Sequence, residues 1–225
     1  MLGLDYNTVS PMMLEIAQGG MFTISGKKEK GKDIFVKYLL EAMLLPTFGN
    51  TELYILDDMT RRWSDYEYHP DTVYDNTTAS VQTIFDEVDQ RVQSRYEDFA
   101  QRQEEALKSE PWIVIVIESS DAVAEISADK KIIGTIKGML GKYRMMKVLI
   151  LMTNVENAAI PFSAPDLMKI VKDNRRYIIF DDISNIKLCD LSVSIAKKYA
   201  KPIEFCDAFY VNENELTKIK TVKLS

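Results

Sequence analysis

Two glycines and a lysine near the amino terminus have the spacing of a phosphate-binding loop. The stretch "GKKEKGKD", residues 26–33, fits the pattern G-x-x-x-x-G-K-[ST] at every position except the last. Glycines let consecutive backbone N–H groups point at a phosphate, and the lysine reaches the β- and γ-phosphates. The pattern therefore predicts a nucleotide-binding loop made of Gly26, Lys27, Lys28, Glu29, Lys30, Gly31, Lys32 and Asp33.

The last position of this loop departs from the pattern, because Asp33 replaces the hydroxyl residue that should hold magnesium. A carboxylate can also bind magnesium, but it adds negative charge beside the phosphates. Two unit charges about 4 Å apart repel by about 1 kcal/mol in water and by about 4 kcal/mol at an effective dielectric constant near 20. Glu29 adds to this repulsion, and the three neighbouring lysines partly oppose it.

Hydrolysis also requires, at the end of an apolar strand, an aspartate that holds magnesium through water and usually a glutamate that polarises the attacking water. The run "WIVIVI", residues 112–117, is followed by Glu118, which is longer than the usual aspartate but is a candidate magnesium ligand. Ser119 cannot act as a carboxylate base. Asp121 could supply the carboxylate from the following loop, although capping the next helix is the simpler interpretation.

Polar residues also follow the next apolar run, "KVLILMT". Asn154 is a candidate sensor of a γ-phosphate, with a strand-end turn as the alternative. The candidate catalytic residues are therefore Glu118, Asp121 and Asn154, all altered relative to a working site. We expect little ATP hydrolysis by the isolated chain, whereas binding of ATP with magnesium stays open.

Short apolar, β-branched runs alternate with helical patterns along the chain. The runs are "MFTISG", "ELYIL", "WIVIVI", "KVLILMT" and, as a fifth, "RRYIIF". This alternation is typical of an α/β fold with a mainly parallel sheet and helices on both faces. A long amphipathic helix is expected between residues 80 and 109, packed on the sheet, and a two-stranded hairpin after Pro202.

Composition narrows the possible functions. The 225 residues are 46% hydrophobic, enough for one folded domain over residues 1–225. A net charge of -6 gives no overall field for DNA phosphates, although basic pairs such as Arg61 and Arg62 could form local patches. The longest apolar runs fall far short of the roughly 20 residues that span a bilayer. We therefore expect neither nucleic-acid binding nor membrane insertion of this chain.

The order of these motifs resembles a known family. The lead-in "LGLDYNTVSP", the loop, and then "ELYILDD", "PWIVIVIESSD", "KVLILMTN" and "VKDNRRYIIF" resemble an FtsK/SpoIIIE-type ATPase domain, in particular the last of the tandem ATPase domains of the EssC family. That family comprises the motors of the Gram-positive type VII secretion system. The resemblance implies a RecA-like P-loop NTPase fold and a cytoplasmic domain of a plasma-membrane-anchored secretion motor.

The resemblance also implies residue roles. By position, it makes Lys32 the phosphate lysine, Asp33 the altered magnesium residue, Glu118 the altered Walker B acid and Asn154 the polar sensor.

Contacts with other domains are implied as well. Arg175 or Arg176 lies near the family's N-R segment and would face a neighbouring subunit, either an adjoining ATPase domain or a copy in a homo-hexamer. The segment "PIEFCDAFYV" lacks the glycines expected near the family's carboxyl-terminal strands, which argues against a subunit contact there.

Three functions follow from the resemblance. Terminal ATPase domains of such motors are associated with recognising the signal of small helical WXG100-type secreted proteins, so the first hypothesis is a degenerate domain for substrate recognition and regulation. The second is an ATPase that becomes active after assembly, with Asp33, Glu118 or Asp121 replacing the usual groups. The third, a DNA-translocating motor, is disfavoured by the acidic composition and by the absence of a basic winged-helix-like tail.

Overall fold

Ten strands and six α-helices form the part of the chain that the computed structural model describes, residues 1–13, 19–153, 165–189, 191–213 and 215–221. The strands are β1 (Gly3–Asp5), β2 (Pro11–Met12), β3 (Gly20–Gly26), β4 (Thr51–Leu56), β5 (Thr72–Asp75), β6 (Trp112–Ile117), β7 (Val148–Met152), β8 (Arg176–Phe180), β9 (Asp207–Asn212) and β10 (Glu215–Thr221). The helices are α1 (Lys32–Met43), α2 (Val81–Arg102), α3 (Ser120–Ala128), α4 (Lys130–Leu140), α5 (Asp166–Asn174) and α6 (Val193–Lys198).

All ten strands belong to one sheet, in the order β2-β1-β10-β9-β8-β3-β7-β6-β4-β5. The six strands from β8 to β5 are parallel, and the remaining four extend the sheet in antiparallel pairings. The first parallel strand, β3, therefore lies between β8 and β7. In parallel sheets of this kind, ligands usually bind at the carboxyl ends of the strands, in the crevice where the strand order reverses.

Both faces of the sheet are covered by apolar side chains, because successive strand residues point to opposite faces. One face carries the buried residues of α2, α3, α4 and α5, and the other carries those of α1. On β6, Ile113, Ile115 and Ile117 pack on the first face, whereas Val114 and Val116 pack on the second. Burial on both faces explains why this strand is a continuous apolar run.

The predicted architecture is confirmed. The five apolar runs form β3, β4, β6, β7 and β8, and the last two strands form the predicted hairpin. The long amphipathic helix is α2, whose apolar stripe packs on the sheet. The sequence interpretation missed three short strands: β1 and β2 in the lead-in, which pair beside β10, and β5, which pairs with β4. Within the described ranges, none of the helices is long and apolar enough to cross a bilayer.

Candidate functional site

The predicted phosphate loop lies at the carboxyl end of β3 and leads directly into α1. Gly26 has a φ of +107°, and a Cβ atom there would lie 2.4 Å from the carbonyl oxygen of Phe180. Gly31 has a φ of +100°, and its Cβ would lie 3.2 Å from Sγ of Cys206. Both positions therefore require glycine, since this φ disfavours L side chains and the neighbouring strand and segment leave no space.

Backbone N–H groups of the loop donate hydrogen bonds to carbonyl groups of the protein. Lys27 donates to Phe180 O at 2.8 Å, Lys30 to Lys27 O at 3.0 Å, and Gly31 to Lys28 O at 2.9 Å. The last two bonds close a short 3-10 turn over Lys28–Lys30. In this conformation these three N–H groups are engaged within the chain and do not point at a ligand.

Two loop lysines are paired with acids after β8. Nζ of Lys27 lies 3.4 Å from Asp181, and Nζ of Lys30 lies 3.8 Å from Asp182. Lys30 also donates to the carbonyl oxygen of Ile203 at 2.6 Å. Two of the three positive charges that were expected to oppose Asp33 and Glu29 thus face other carboxylates, while Glu29 itself is exposed.

Lys32, the predicted phosphate lysine, is buried at the first position of α1. Its Nζ donates to the backbone carbonyl oxygen of Thr153 at 3.0 Å. It also lies close enough to Glu118 to favour the charged form of that carboxyl. The structure therefore brings together the lysine and the acid that the sequence predicted to share a site.

Glu118 follows β6, and its side chain has no solvent exposure. Oε2 accepts hydrogen bonds from Nε1 of Trp63, at 3.3 Å, and from Oγ1 of Thr153. Oε1 lies 2.7 Å from Nη1 of Arg62, an ion pair without hydrogen-bond alignment. Burial raises the pKa of Glu118, and the Thr153 hydrogen bond, Arg62, Lys32 and Trp63 offset only part of this effect.

Arg62 connects the two acids of the predicted magnesium site. The same Nη1 that contacts Glu118 lies 3.5 Å from Oδ1 of Asp33. Arg62 was interpreted from the sequence only as half of a basic surface pair, and Trp63 was not considered. The available signal was their position shortly after β4, because the carboxyl ends of parallel strands meet at one edge of a sheet.

Asp57, which the sequence interpretation also missed, holds the segment that carries Arg62. It is buried directly after β4. Its Oδ2 accepts from the backbone N–H of Trp63 and from the hydroxyl of Tyr74, both at 2.8 Å. Burial and the contact with the Asp57 carboxylate raise the pKa of the Tyr74 hydroxyl, which therefore stays a donor to Asp57. Asp57 thus folds residues 57–63 back toward Glu118.

The two other candidate catalytic residues are Asp121 and Asn154. Asp121 is exposed in the first turn of α3, and the prediction that it caps this helix is wrong, because Ser119 accepts from the N–H groups of Asp121 and Ala122. Asn154 lies outside the described residues.

The two predicted contact arginines flank the start of β8. Arg175 is exposed at the end of α5, in the left-handed conformation. The guanidinium of Arg176 lies over the ring of Phe22, 4.6 Å from its centroid. A subunit contact through either residue stays a prediction.

The residues present do not fit a shared magnesium ion. Magnesium requires octahedral oxygen ligands at about 2.0–2.1 Å. Between the two acids predicted to supply them, Asp33 and Glu118, lies a guanidinium nitrogen. Within the described part of the chain, no group of three or more His, Cys, Asp or Glu side chains is placed to hold a metal ion.

A separate cavity of about 550 Å³ lies at the amino end of β8, among α5, α6 and the β9–β10 hairpin. Its wall combines apolar side chains, among them Leu191, Ile195 and Leu216, with charged ones. The charged side chains are the basic Lys172, Arg175 and Lys187 and the acidic Asp173 and Glu213. Such a wall is suited to a ligand that has both apolar and charged groups.

The glycine loop between β3 and α1, the buried lysine and the parallel strand order define a RecA-like P-loop NTPase fold. Solved structures with the same fold include EssC (ATPases 2 and 3) from Geobacillus thermodenitrificans, with a TM-score of 0.78 and 23% sequence identity over all of this chain. A second is Thermomonospora curvata EccC (ATPases 2 and 3) in complex with a signal sequence peptide, with a TM-score of 0.69 and 14% identity.

A third neighbour is the pCW3 conjugation coupling protein TcpA in a monomer form with ATPγS, with a TM-score of 0.70 and 10% identity over 98% of this chain and 64% of TcpA. The chain spans 41% of the EssC structure and 40% of the EccC structure. The sequence matches no protein-family model and no curated protein. At these identities the likeness establishes the fold that the chain shares with secretion ATPase domains.

Proposed function

We propose that residues 1–225 form one ATPase-like domain of a type VII secretion motor, which recognises secreted proteins and regulates their export without hydrolysing ATP on its own. The observation that carries this proposal is the arrangement around Glu118. The acid at the Walker B position is fully buried, and its two oxygens face Trp63, Thr153 and Arg62. The Walker B acid of a working site helps to hold the magnesium ion, whereas these contacts engage both oxygens of Glu118 with protein groups.

Neighbouring groups support the loss of hydrolysis. Ser119, next to the acid, accepts hydrogen bonds from the first turn of α3, so its hydroxyl serves the helix. Lys32 donates to the Thr153 carbonyl. A triphosphate would therefore compete with protein partners for its main cationic contact.

The recognition part of the proposal rests on the fold and on the cavity at the amino end of β8. A T. curvata protein with this fold binds a signal sequence peptide. In the present chain, Leu191, Ile195 and Leu216 would contact the apolar side chains of a helical signal, and Lys172 and Arg175 its acidic groups. The corresponding substrates are WXG100-type secreted proteins. The domain would also contact adjoining ATPase domains, or copies of itself in a homo-hexamer. The whole motor would be anchored in the plasma membrane, with its ATPase domains in the cytoplasm.

Two measurements test this proposal. The purified domain is expected to show no saturable ATP hydrolysis above the Lys32→Ala variant. It is also expected to bind a fluorescent peptide that carries the carboxyl-terminal signal of a WXG100-type protein from the same genome. Saturable hydrolysis that Lys32→Ala abolishes would contradict the proposal.

A matched pair of variants on α6 locates the peptide site. Ile195→Asp changes the cavity wall, whereas Val193→Asp changes an exposed residue on the same helix. Binding measured by fluorescence anisotropy should weaken about tenfold or more in Ile195→Asp, as expected for loss of an apolar anchor. It should be unchanged in Val193→Asp. Equal loss in both variants would exclude the cavity as the peptide site.

One observation favours the alternative of an ATPase that is active after assembly: Lys32 and Glu118 keep the positions of the phosphate lysine and the Walker B acid. This alternative requires the segment of residues 57–63 to move away in the oligomer. It predicts hydrolysis only in the multidomain protein, with Lys32→Ala stopping both hydrolysis and secretion there. Loss of secretion without any nucleotide turnover in the oligomer would refute it.

A further inference from the structure

Arg62 lies at the position where a P-loop site holds its metal ion. In P-loop NTPases magnesium is bound by the residue after the loop lysine and by the acid of the Walker B strand. These positions are Asp33 and Glu118 in this chain. One nitrogen atom, Nη1 of Arg62, lies 3.5 Å from the first carboxylate and 2.7 Å from the second.

We propose that Arg62 is a built-in cation that takes the place of the divalent metal ion between Asp33 and Glu118, so that this site does not bind magnesium. This inference rests on the proposed function in one respect, the assignment of residues 26–33 as a phosphate loop. It goes further because it assigns a role to a residue outside the loop and changes the cofactor requirement of the site.

The charges around the site balance without a metal ion. Asp33 and Glu118 contribute two negative charges, and Arg62 and Lys32 contribute two positive charges. A magnesium ion added to this set would leave an excess of two positive charges beside a guanidinium that cannot lose its proton. Removing Arg62 would instead leave an excess of negative charge, which is what a divalent ion requires.

The position of Arg62 is fixed by several contacts. The next residue, Trp63, is buried and donates its backbone N–H to Asp57 and its indole N–H to Glu118. The Arg62 side chain is 29% exposed, so its guanidinium lies at the mouth of the site. A charged group held by its neighbours in this way does not swing freely out of the site, unlike an exposed surface arginine.

This assignment also explains Asp33. A serine or threonine hydroxyl would be a weak partner for a guanidinium, whereas a carboxylate forms the stronger charge-assisted contact. The acid is also favourable in the first turn of α1, where the helix dipole attracts negative charge. The departure of the loop from its usual pattern and the position of Arg62 are therefore two parts of one arrangement.

Binding of Mn²⁺, measured by electron paramagnetic resonance without nucleotide or peptide, tests this inference. The wild-type protein is expected to bind no Mn²⁺ at this site. Arg62→Ala should bind one Mn²⁺ ion, because a positive charge a few ångströms away is removed. Its affinity should exceed any residual affinity of wild type by about tenfold or more. Arg61→Ala is the matched control, since Arg61 is paired with Glu67 outside the site, and it should behave as wild type.

Trp63 provides a second readout, because its indole contacts Glu118. In a Trp112→Phe background its fluorescence reports the site alone. Mn²⁺ should quench the Trp63 fluorescence when Arg62→Ala is added to this background, and leave it unchanged when Arg62 is retained. Adding Glu118→Gln to Arg62→Ala should remove the quenching.

Arg62→Gln guards against a variant that fails to fold, since it removes the charge but keeps most of the side chain. It should gain Mn²⁺ binding as Arg62→Ala does. A folded Arg62→Gln protein without this gain would overturn the inference, as would Mn²⁺ binding by wild type that Glu118→Gln abolishes. Neither result depends on ATP turnover or peptide binding, so failure of the proposed function is detected separately.

Discussion

Two buried carboxylates, one in each half of the sheet, are held in opposite ways. Asp207 begins β9 in the antiparallel half, where it accepts from Lys218 at 2.8 Å, Lys220 at 2.7 Å and the backbone N–H of Glu204 at 3.2 Å. Burial opposes its ionisation, but these donors lower the pKa of Asp207. Around Glu118, in the parallel half, burial prevails and the pKa is raised.

The difference separates a structural carboxylate from a site carboxylate. Asp207 has donors that stabilise its charge, and it fixes the segment whose Ile203 carbonyl and Cys206 N–H contact Lys30 in the phosphate loop. Glu118 has a raised pKa at the ligand edge of the sheet, and such shifts are concentrated at functional sites. The antiparallel half therefore contacts the predicted phosphate loop at Lys30, whereas the parallel half carries the candidate site acid.

The largest expected effect comes from removing the structural carboxylate. Asp207→Ala leaves Lys218, with a side chain only 14% exposed, without this partner and should lower the free energy of unfolding by about 3–5 kcal/mol. Glu204→Ala removes an exposed partner of Lys220 and should cost less than about 1 kcal/mol. Urea unfolding measures both, and equal losses would contradict the role given to Asp207.

The next effect concerns the strand junction below the phosphate loop. Gly26→Ala should lower the free energy of unfolding by about 2–4 kcal/mol, because a strained φ is combined with a clash against the Phe180 carbonyl. Gly49 has a similar φ, +102°, with no atom within 4 Å of its Cβ position. Gly49→Ala should therefore cost only about 1 kcal/mol, and a similar loss in both variants would refute the close contact.

A smaller effect is expected at the hydrogen bond between Thr153 and Glu118. Thr153→Val removes a buried donor to the carboxylate and should lower stability by about 1–3 kcal/mol. Thr60→Val is the control, because the Thr60 hydroxyl contacts Asp58 on an exposed segment, and its effect should be within about 0.5 kcal/mol. If thermal unfolding shows no difference between them, Thr153 does not support the buried acid.

The smallest effect is the pH dependence, and its sign distinguishes the two carboxylates. The raised pKa of Glu118 gives stability that is complete below its ordinary value of 4.5 and is lost as pH rises through the folded pKa. The lowered pKa of Asp207 gives stability that is present above 3.8 and is lost as pH falls through the folded pKa.

Comparison with neutral variants isolates these contributions. The stability of wild type relative to Glu118→Gln should fall as pH rises above 4.5, because burial raises the pKa of Glu118. Relative to Asp207→Asn, wild type should lose stability as pH falls below 3.8. Profiles of the same sign would show that one of the two assignments is incorrect.

Much of the parallel half could be predicted from the sequence. Its strands are β-branched apolar runs, and their alternation with amphipathic helices follows from burial on both faces of the sheet. The loop of residues 26–33 was recognisable because its glycines and lysine are local in the chain. The strands β1, β2 and β5 were missed because they are only three, two and four residues long and depend on pairing with β10, β1 and β4.

By itself, the sequence determined five of the six parallel strands, the position of the loop lysine and the unusual acid after it, because these features depend on residue type and local spacing. Only the tertiary structure decided what those residues contact. Arg62 and Asp33 are 29 residues apart, and Lys30 and Ile203 are 173 apart. These pairs meet because the strand order brings the ends of β3, β4 and β6 to one edge and folds the segment before β9 over the loop, and a local pattern does not specify such an order.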